Sequence, residues 1–281
     1  MNGASKTAGR TPETTSGNPL KTAQQSLLGL FLVAIVLLIA QRFISFQLPA
    51  KEGIWDAALL ILALATTLAS LCRQLPAQNV LLATVIIAFI SGGIHALGST
   101  TGIPFGPAIY TAAGGPRFFD ALSWFVPLLW IVVVLNSRGV ARLILRPWRK
   151  LRVYGYWLMG ITTLLTLIFD LGLEPFATRA RHYWLWSPTK IAVDWYGTPL
   201  SNFLGWLVTA LLILAFATPA LMKKKPAKSK AGTDYYPLIV WVSLNLLFVA
   251  AAFSQHLTSA AIVSATACIA VIPFAVRGAR W

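Results

Sequence analysis

The sequence predicts an all-α polytopic membrane protein of about eight transmembrane helices, on three observations. Of its 281 residues, 57% are hydrophobic and only 11% are charged, less than half the ~25% of an average soluble domain. Apolar runs near 20 residues recur along the chain, each long enough to cross ~30 Å of hydrocarbon. The segments between them are short, and several are crowded with Lys and Arg.

Residues 1–25 are rich in Ser, Thr, Gly and Pro and lack apolar periodicity, so they read as a disordered cytoplasmic tail. Residues 26–281 read as a single transmembrane helical domain. The first apolar run is too long for a signal-peptide core and has no A-x-A cleavage site, so it is a retained helix. The expected spans are 26–46, 54–72, 77–97, 119–137, 154–173, 200–222, 236–254 and 257–275. The last two form a tight hairpin around Ser254, Gln255 and His256. There is no internal repeat of the kind that marks a solenoid.

Charge sets the expected orientation. With the N-terminus cytoplasmic, 17 of the 23 Lys and Arg residues fall inside, including the runs at 138–152 and 223–230. Arg42, Lys51, Arg117, Arg179, Arg181 and Lys190 fall outside, partly offset there by acidic residues. Eight spans with both termini cytoplasmic fit this split. The net charge of +15 is thus a matter of topology and anionic lipid contact, with membrane lipids and not nucleic acid as the partner. Cys72 and Cys268 lie in apolar runs with no paired spacing and read as small core residues.

This orientation places two unusual segments on the same outer side. Residues 101–111, TGIPFGPAIYT, hold Gly102, Pro104, Gly106 and Pro107, which exclude a regular helix or a central strand. Its Ile103, Phe105, Ile109 and Tyr110 are too apolar for a solvated linker, so the loop should pack on something. The long 174–199 segment is on that side too and can meet it.

The chemistry-bearing residues gather there. Asp170 and Glu174 are four apart and share a helix face at the outer end of the fifth span, where Pro175 should end the helix. Two readings fit. Both carboxylates lie at headgroup level and pair with Arg179 or Arg181, or repulsion and desolvation make the pair hold one proton as a general acid. His95, near the outer end of the third span, is either a catalytic group or a hydrogen-bonded structural histidine. Tyr183, Trp184, Trp186, Trp195, Tyr196, Phe203 and Trp206 form an interfacial aromatic belt or, with Phe105 and Tyr110, wall an apolar groove able to stabilise a cation. Asn202 can orient a water or cap the sixth span. No His or Cys spacing suits a metal, and there is no P-loop, G-x-G-x-x-G or G-x-S-x-G motif.

Two blocks, TGIPFG with a following Tyr, and DLGLEP with a downstream W-x-W and YGTPLSNFLGW, together resemble the integral-membrane carotenoid biosynthesis family. Carotenoid 1',2'-hydratases and bisanhydrobacterioruberin hydratase belong to that family. The likeness covers about residues 95–206. Gly102, Pro104, Phe105 and Gly106 match the first block. Asp170, Pro175, Trp184, Trp186, Tyr196, Gly197, Pro199, Asn202, Phe203, Gly205 and Trp206 match the second. The family usually carries Glu at the place of His95, a second Tyr at Ala108 and Asp at Glu174.

The resemblance implies a multi-pass protein of a bacterial or archaeal cell membrane that hydrates the 1',2' double bond of an acyclic carotenoid end. Asp170, Glu174 and His95 would be the catalytic residues. Phe105, Tyr110, Trp184, Trp186, Tyr196, Asn202 and Trp206 would bind substrate. No cofactor and no metal are required. The partners would be a lipid-soluble carotenoid and other enzymes of its pathway. Asp170 is the first choice as proton donor or as the group that tunes Glu174. An enzyme acting on a prenyl diphosphate would need paired Asp-rich motifs, and the chain has eight acidic residues and no such motif. The other reading is a carotenoid or isoprenoid-lipid binding or transport protein that leaves its ligand unchanged.

Overall fold

The computed structural model describes residues 19–44, 46, 49, 52–119, 121–187, 193–222 and 233–281. Eight helices in it are long and apolar enough to cross a membrane. They are α1 (Pro19–Ala40), α2 (Glu52–Cys72), α3 (Ala77–Thr101), α4 (Phe125–Ile144), α5 (Tyr154–Pro175), α6 (Leu200–Ala217), α7 (Tyr236–Ser254) and α8 (Thr258–Ala279). Among the described residues six short strands lie between spans: β1 (Ala108–Tyr110), β2 (Arg117–Phe118), β3 (Leu122–Ser123), β4 (Trp184–Trp186), β5 (Asp194–Trp195) and β6 (Thr198–Pro199). They pair as three two-stranded ribbons, β1 with β4, β2 with β3 and β5 with β6.

The all-α membrane class is what the sequence predicts, with boundaries shifted for local reasons. Helix α1 starts inside the expected tail, with Pro19 in the first helical position that proline favours. Its extra turn is held because Gln24, almost fully buried, accepts a hydrogen bond from Arg73 at the end of α2. The rest of the expected tail, residues 1–18, lies outside the described residues. Helix α4 sits six residues later than expected, because the β2–β3 hairpin takes up 117–123 and the helix runs on through Arg138 and Arg142.

Helix α4 is the hub, packed against α2, α3, α5, α7 and α8. Its mid-span Asn136 donates to Thr67 Oγ1 of α2 at 2.8 Å and to the Val132 carbonyl at 2.7 Å, so its buried amide hydrogens are met. At one end α8 closes directly on the α4 backbone. A Cβ on Gly278 would lie 2.2 Å from the Leu143 carbonyl oxygen and 2.8 Å from that of Ile144. Backbone cannot step aside as a side-chain tip can, so Gly278→Ala should destabilise the fold by about 1–3 kcal/mol or more. Gly160→Ala, whose Cβ meets nothing within 4 Å, should be neutral or mildly stabilising. Melting midpoints of the two variants in detergent check this contrast.

Candidate functional site

The two unusual segments, 101–111 and 174–199, do meet. Strands β1 and β4 pair antiparallel with Ala108 opposite Trp186, Ile109 opposite Leu185 and Tyr110 opposite Trp184. Hydrogen bonds from Thr111 N to the Tyr183 carbonyl (3.0 Å) and from Ser187 N to the Pro107 carbonyl (2.9 Å) extend the ribbon at both ends. Side chains alternate across a strand, so Trp184 and Trp186 share one face while Leu185 and Ile109 turn outward and are exposed. The ribbon therefore aims both indoles inward, toward the end of α5.

Asp170 and Glu174 wait there, 0% and 1% exposed. Pro175 does not end the helix at Glu174 as expected. Helix α5 includes Pro175 and passes into a π turn at Phe176–Ala180. The carbonyl that a proline cannot bond, that of Leu171, instead accepts from the Trp195 indole at 2.9 Å. The helix continues because its one orphaned acceptor has found a partner.

The carboxyls are not paired with Arg179 or Arg181. Arg181 is engaged by Asp56 at 2.9 Å, and Arg179 donates to the Tyr196 carbonyl at 3.0 Å. Glu174 Oε2 accepts from Trp186 Nε1 (2.9 Å), Thr198 Oγ1 (3.0 Å) and Trp184 Nε1 (3.1 Å). The Asn202 amide nitrogen, in the first turn of α6, is 3.1 Å from Glu174 Oε1 and 3.0 Å from Asp170 Oδ2, one hydrogen for each. Asp170 Oδ1 has no partner among the described residues. Four donors thus serve Glu174 and one serves Asp170. Asn202 neither caps α6 nor stands alone; it bridges the acids.

His95 is wired differently. The Trp130 indole, which can only donate, points at His95 Nε2 at 2.8 Å. That ring nitrogen is therefore an acceptor, and the neutral ring carries its hydrogen on Nδ1, 3.3 Å from the Tyr110 hydroxyl. Phe105 stacks on the ring at 4.1 Å, and Trp206 stacks on Trp130 at 4.2 Å. Phe105 is itself seated where α6 has no side chain, since a Cβ on Gly205 would lie 2.5 Å from it. The Tyr110 hydroxyl keeps its proton well above the ordinary range, because it is buried and then because Glu174 is near.

These groups line a small cavity of about 30 Å³, enough for a water or two. A second cavity of about 710 Å³ adjoins it, with Leu129 and Trp184 in the walls of both. The large one is mostly apolar, faced by Phe125, Phe169, Leu247 and Phe248. Its polar edge is the cluster of Asp56, Arg181 and Tyr183, whose hydroxyl donates to Asp56. Burial and then the Asp56 charge push the Tyr183 hydroxyl up from its usual value.

Of the residues singled out from sequence, Glu174, His95, Phe105, Tyr110, Trp184, Trp186, Asn202 and Trp206 line the small cavity together. Asp170 stands behind that wall, joined to it through Asn202. Tyr196 is elsewhere: its hydroxyl accepts from Ala260 N at 3.4 Å on the α8 side, and its backbone is left-handed at φ 55°. Two contributors were not singled out, Thr198 and Trp130. Thr198 was visible only as part of the YGTP block, and a lone tryptophan within a span gives no sign that a histidine faces it.

The description "Carotenoid biosynthesis protein" belongs to the family model that matches residues 55–273. The chain belongs to this carotenoid biosynthesis family. Among curated relatives it is similar to the bisanhydrobacterioruberin hydratase of Haloarcula japonica, 29% identical over 137 residues. That match takes in 48% of this chain and 44% of the relative, so it spans less than half of either. No solved structure matches the chain. The carotenoid-family match runs from α2 into α8 and so includes every residue of the cavity wall.

If the indole bonds hold Glu174, the two should depend on each other. Trp186→Phe and Glu174→Gln are each expected to destabilise the protein, and the double variant should lose less than the sum by about 0.5–3 kcal/mol. Melting or denaturation of the four proteins in detergent gives this coupling directly.

Proposed function

We propose that this member of the carotenoid biosynthesis family adds water across the 1',2' double bond of an acyclic carotenoid end, with Glu174 as the acid. The observation that carries this is one carboxyl in the wall of an apolar, aromatic cavity, met by four hydrogen-bond donors. An alkene is a weak base, so its protonation needs an acid whose charged form is stabilised in advance. Fixed donors at Glu174 do this in a site that excludes bulk water.

The steps follow from the geometry. The Glu174 carboxylic acid gives its proton to C2' of the substrate, forming a C–H bond and leaving a tertiary cation at C1'. The faces of Trp184 and Trp186 stabilise that cation by about 2 kcal/mol or more while it is desolvated. A water in the small cavity adds its oxygen to C1' and returns a proton to the Glu174 carboxylate, which restores the acid. The sum is substrate plus one water.

The other groups take supporting roles. Two charged carboxylates this close and this buried would repel. Asp170, with a single donor and a bare oxygen, therefore stays protonated throughout, so that Glu174 is the one that ionises, and only when it has given its proton to the substrate. His95 is a positioning residue: accepting from Trp130 and donating to Tyr110, it frees the Tyr110 hydroxyl hydrogen for the cavity. The apolar arm of the carotenoid occupies the large cavity and reaches the acid past Trp184.

Expression in a host that accumulates lycopene is the test. Wild type should yield carotenoid heavier by one water per reacted end. Glu174→Gln should cut this by about 10²–10⁴-fold, the range for a lost general acid, while Asp170→Asn should keep it within about tenfold. Unaltered carotenoid recovered bound to the wild-type protein would mark a carotenoid-binding protein without hydratase activity. An inactive Asp170→Asn beside an active Glu174→Gln would reverse the assignment.

The same reading places both termini in the cytoplasm and the cavity at the outer end of the bundle, supported by the split of Lys and Arg between the two faces. Reporter fusions after residues 115 and 190 should both report the outer side. A cytoplasmic signal from either would remove the shared outer location.

A further inference from the structure

The opposite end of the bundle holds a separate cavity of about 530 Å³ between α2, α4, α5, α6 and α7. Arg138, Arg142, Arg146 and Arg149 all line it. The first three follow at i, i+4 and i+8, so one face of α4 and its extension carries like charges spaced to repel. Arg138 is only 6% exposed, and its hydrogen bond is a long one, 3.3 Å to the Leu221 carbonyl. Arg142 has no hydrogen bond or ion pair among the described residues. Arg146 is better placed, donating to Thr233 Oγ1 at 2.8 Å and to the Ala279 carbonyl at 3.2 Å.

The single carboxylate in this wall is otherwise engaged. Asp234 accepts from Ser70, Gln74 and Tyr236 N, the last at 3.0 Å. The N-terminus of α5 also opens here at Tyr154 and Gly155, with no capping side chain and no acidic residue in its first turn. A buried cation short of partners, three more arginines and an uncapped helix start all ask for an anion.

The rest of the wall says what carries it. Leu135, Leu158, Met159 and Leu214 give the cavity an apolar side along the spans. We infer that this cavity binds the phosphate of an anionic membrane lipid, the arginines forking onto its oxygens and the acyl chains following the leucines. Arginine suits this because its planar fork meets two phosphate oxygens at once. The site is remote from Glu174 and stands or falls independently of the proposed chemistry.

The experiment uses full-length protein in bilayers of phosphatidylcholine, with or without phosphatidylglycerol, and in phosphatidylcholine with inorganic phosphate at matched ionic strength. Phosphatidylglycerol should raise the melting temperature by several degrees, and native mass spectrometry should find it retained. Arg142→Gln should weaken retention by about tenfold or more, the effect of a lost charge-assisted hydrogen bond, and Arg142→Lys should recover part of it. Arg152→Gln, on the same end but outside the cavity wall, should change nothing. An Arg142-dependent rise with inorganic phosphate alone would support the phosphate site and identify free anion as its source. Equal stability in both lipids, full retention by Arg142→Gln, or an equal loss in Arg152→Gln would overturn the inference.

Discussion

A carboxylate inside a membrane bundle must be given donors by the protein, because hydrocarbon offers none. Glu174 meets that constraint with groups from three structural elements: two indoles of β4, the hydroxyl of Thr198 in β6 and the amide of Asn202 in α6. Each piece has its own anchor. The ribbon with β1 orients the indoles, the β5–β6 pairing holds Thr198, and the start of α6 sets Asn202. One buried carboxyl thus organises loops that would otherwise have little reason to fold. Undoing any single anchor leaves a donor astray and the carboxyl less well served.

The two acids illustrate how environment separates chemically similar groups. Asp170 and Glu174 sit one helical turn apart on the same face, equally buried, yet one is ringed by donors and the other nearly bare. Only Glu174 reaches the cavity. The difference comes from depth along α5: the loops between spans bring their side-chain donors to Glu174 in the last turn, whereas Asp170, one turn deeper, meets only Asn202. Position along an axis has done what residue type did not.

The eight spans were legible because hydrocarbon thickness forces a run length that no composition can disguise. The meeting of the two segments also followed from the alternation of the spans, which leaves both on one face. Span ends were less legible. A sequence reading stops a helix at Arg138, whereas the folded chain buries that residue and carries α4 on to Ile144. The same holds for Pro175, whose helix-ending power depends on whether Leu171 finds another donor, and that donor is 24 residues away. Tyr196 was grouped with the cavity because it belongs to the same sequence block. Its left-handed backbone turns it toward α8 instead. The tautomer of His95 was beyond reach altogether, because it depends on a tryptophan from another helix.

Trp184 belongs to two rooms at once, a cramped one with Glu174 in its wall and a roomy greasy one. A partition of this kind separates what happens to the tip of a long molecule from what happens to its body. The cramped room can inspect a few terminal carbons and nothing beyond them. Under the proposed chemistry the greasy room would accept bodies that differ in length, unsaturation or far-end decoration, since none of those would reach the acid. Selectivity would then be local to one terminus, with a single indole ring setting how much of the molecule is read.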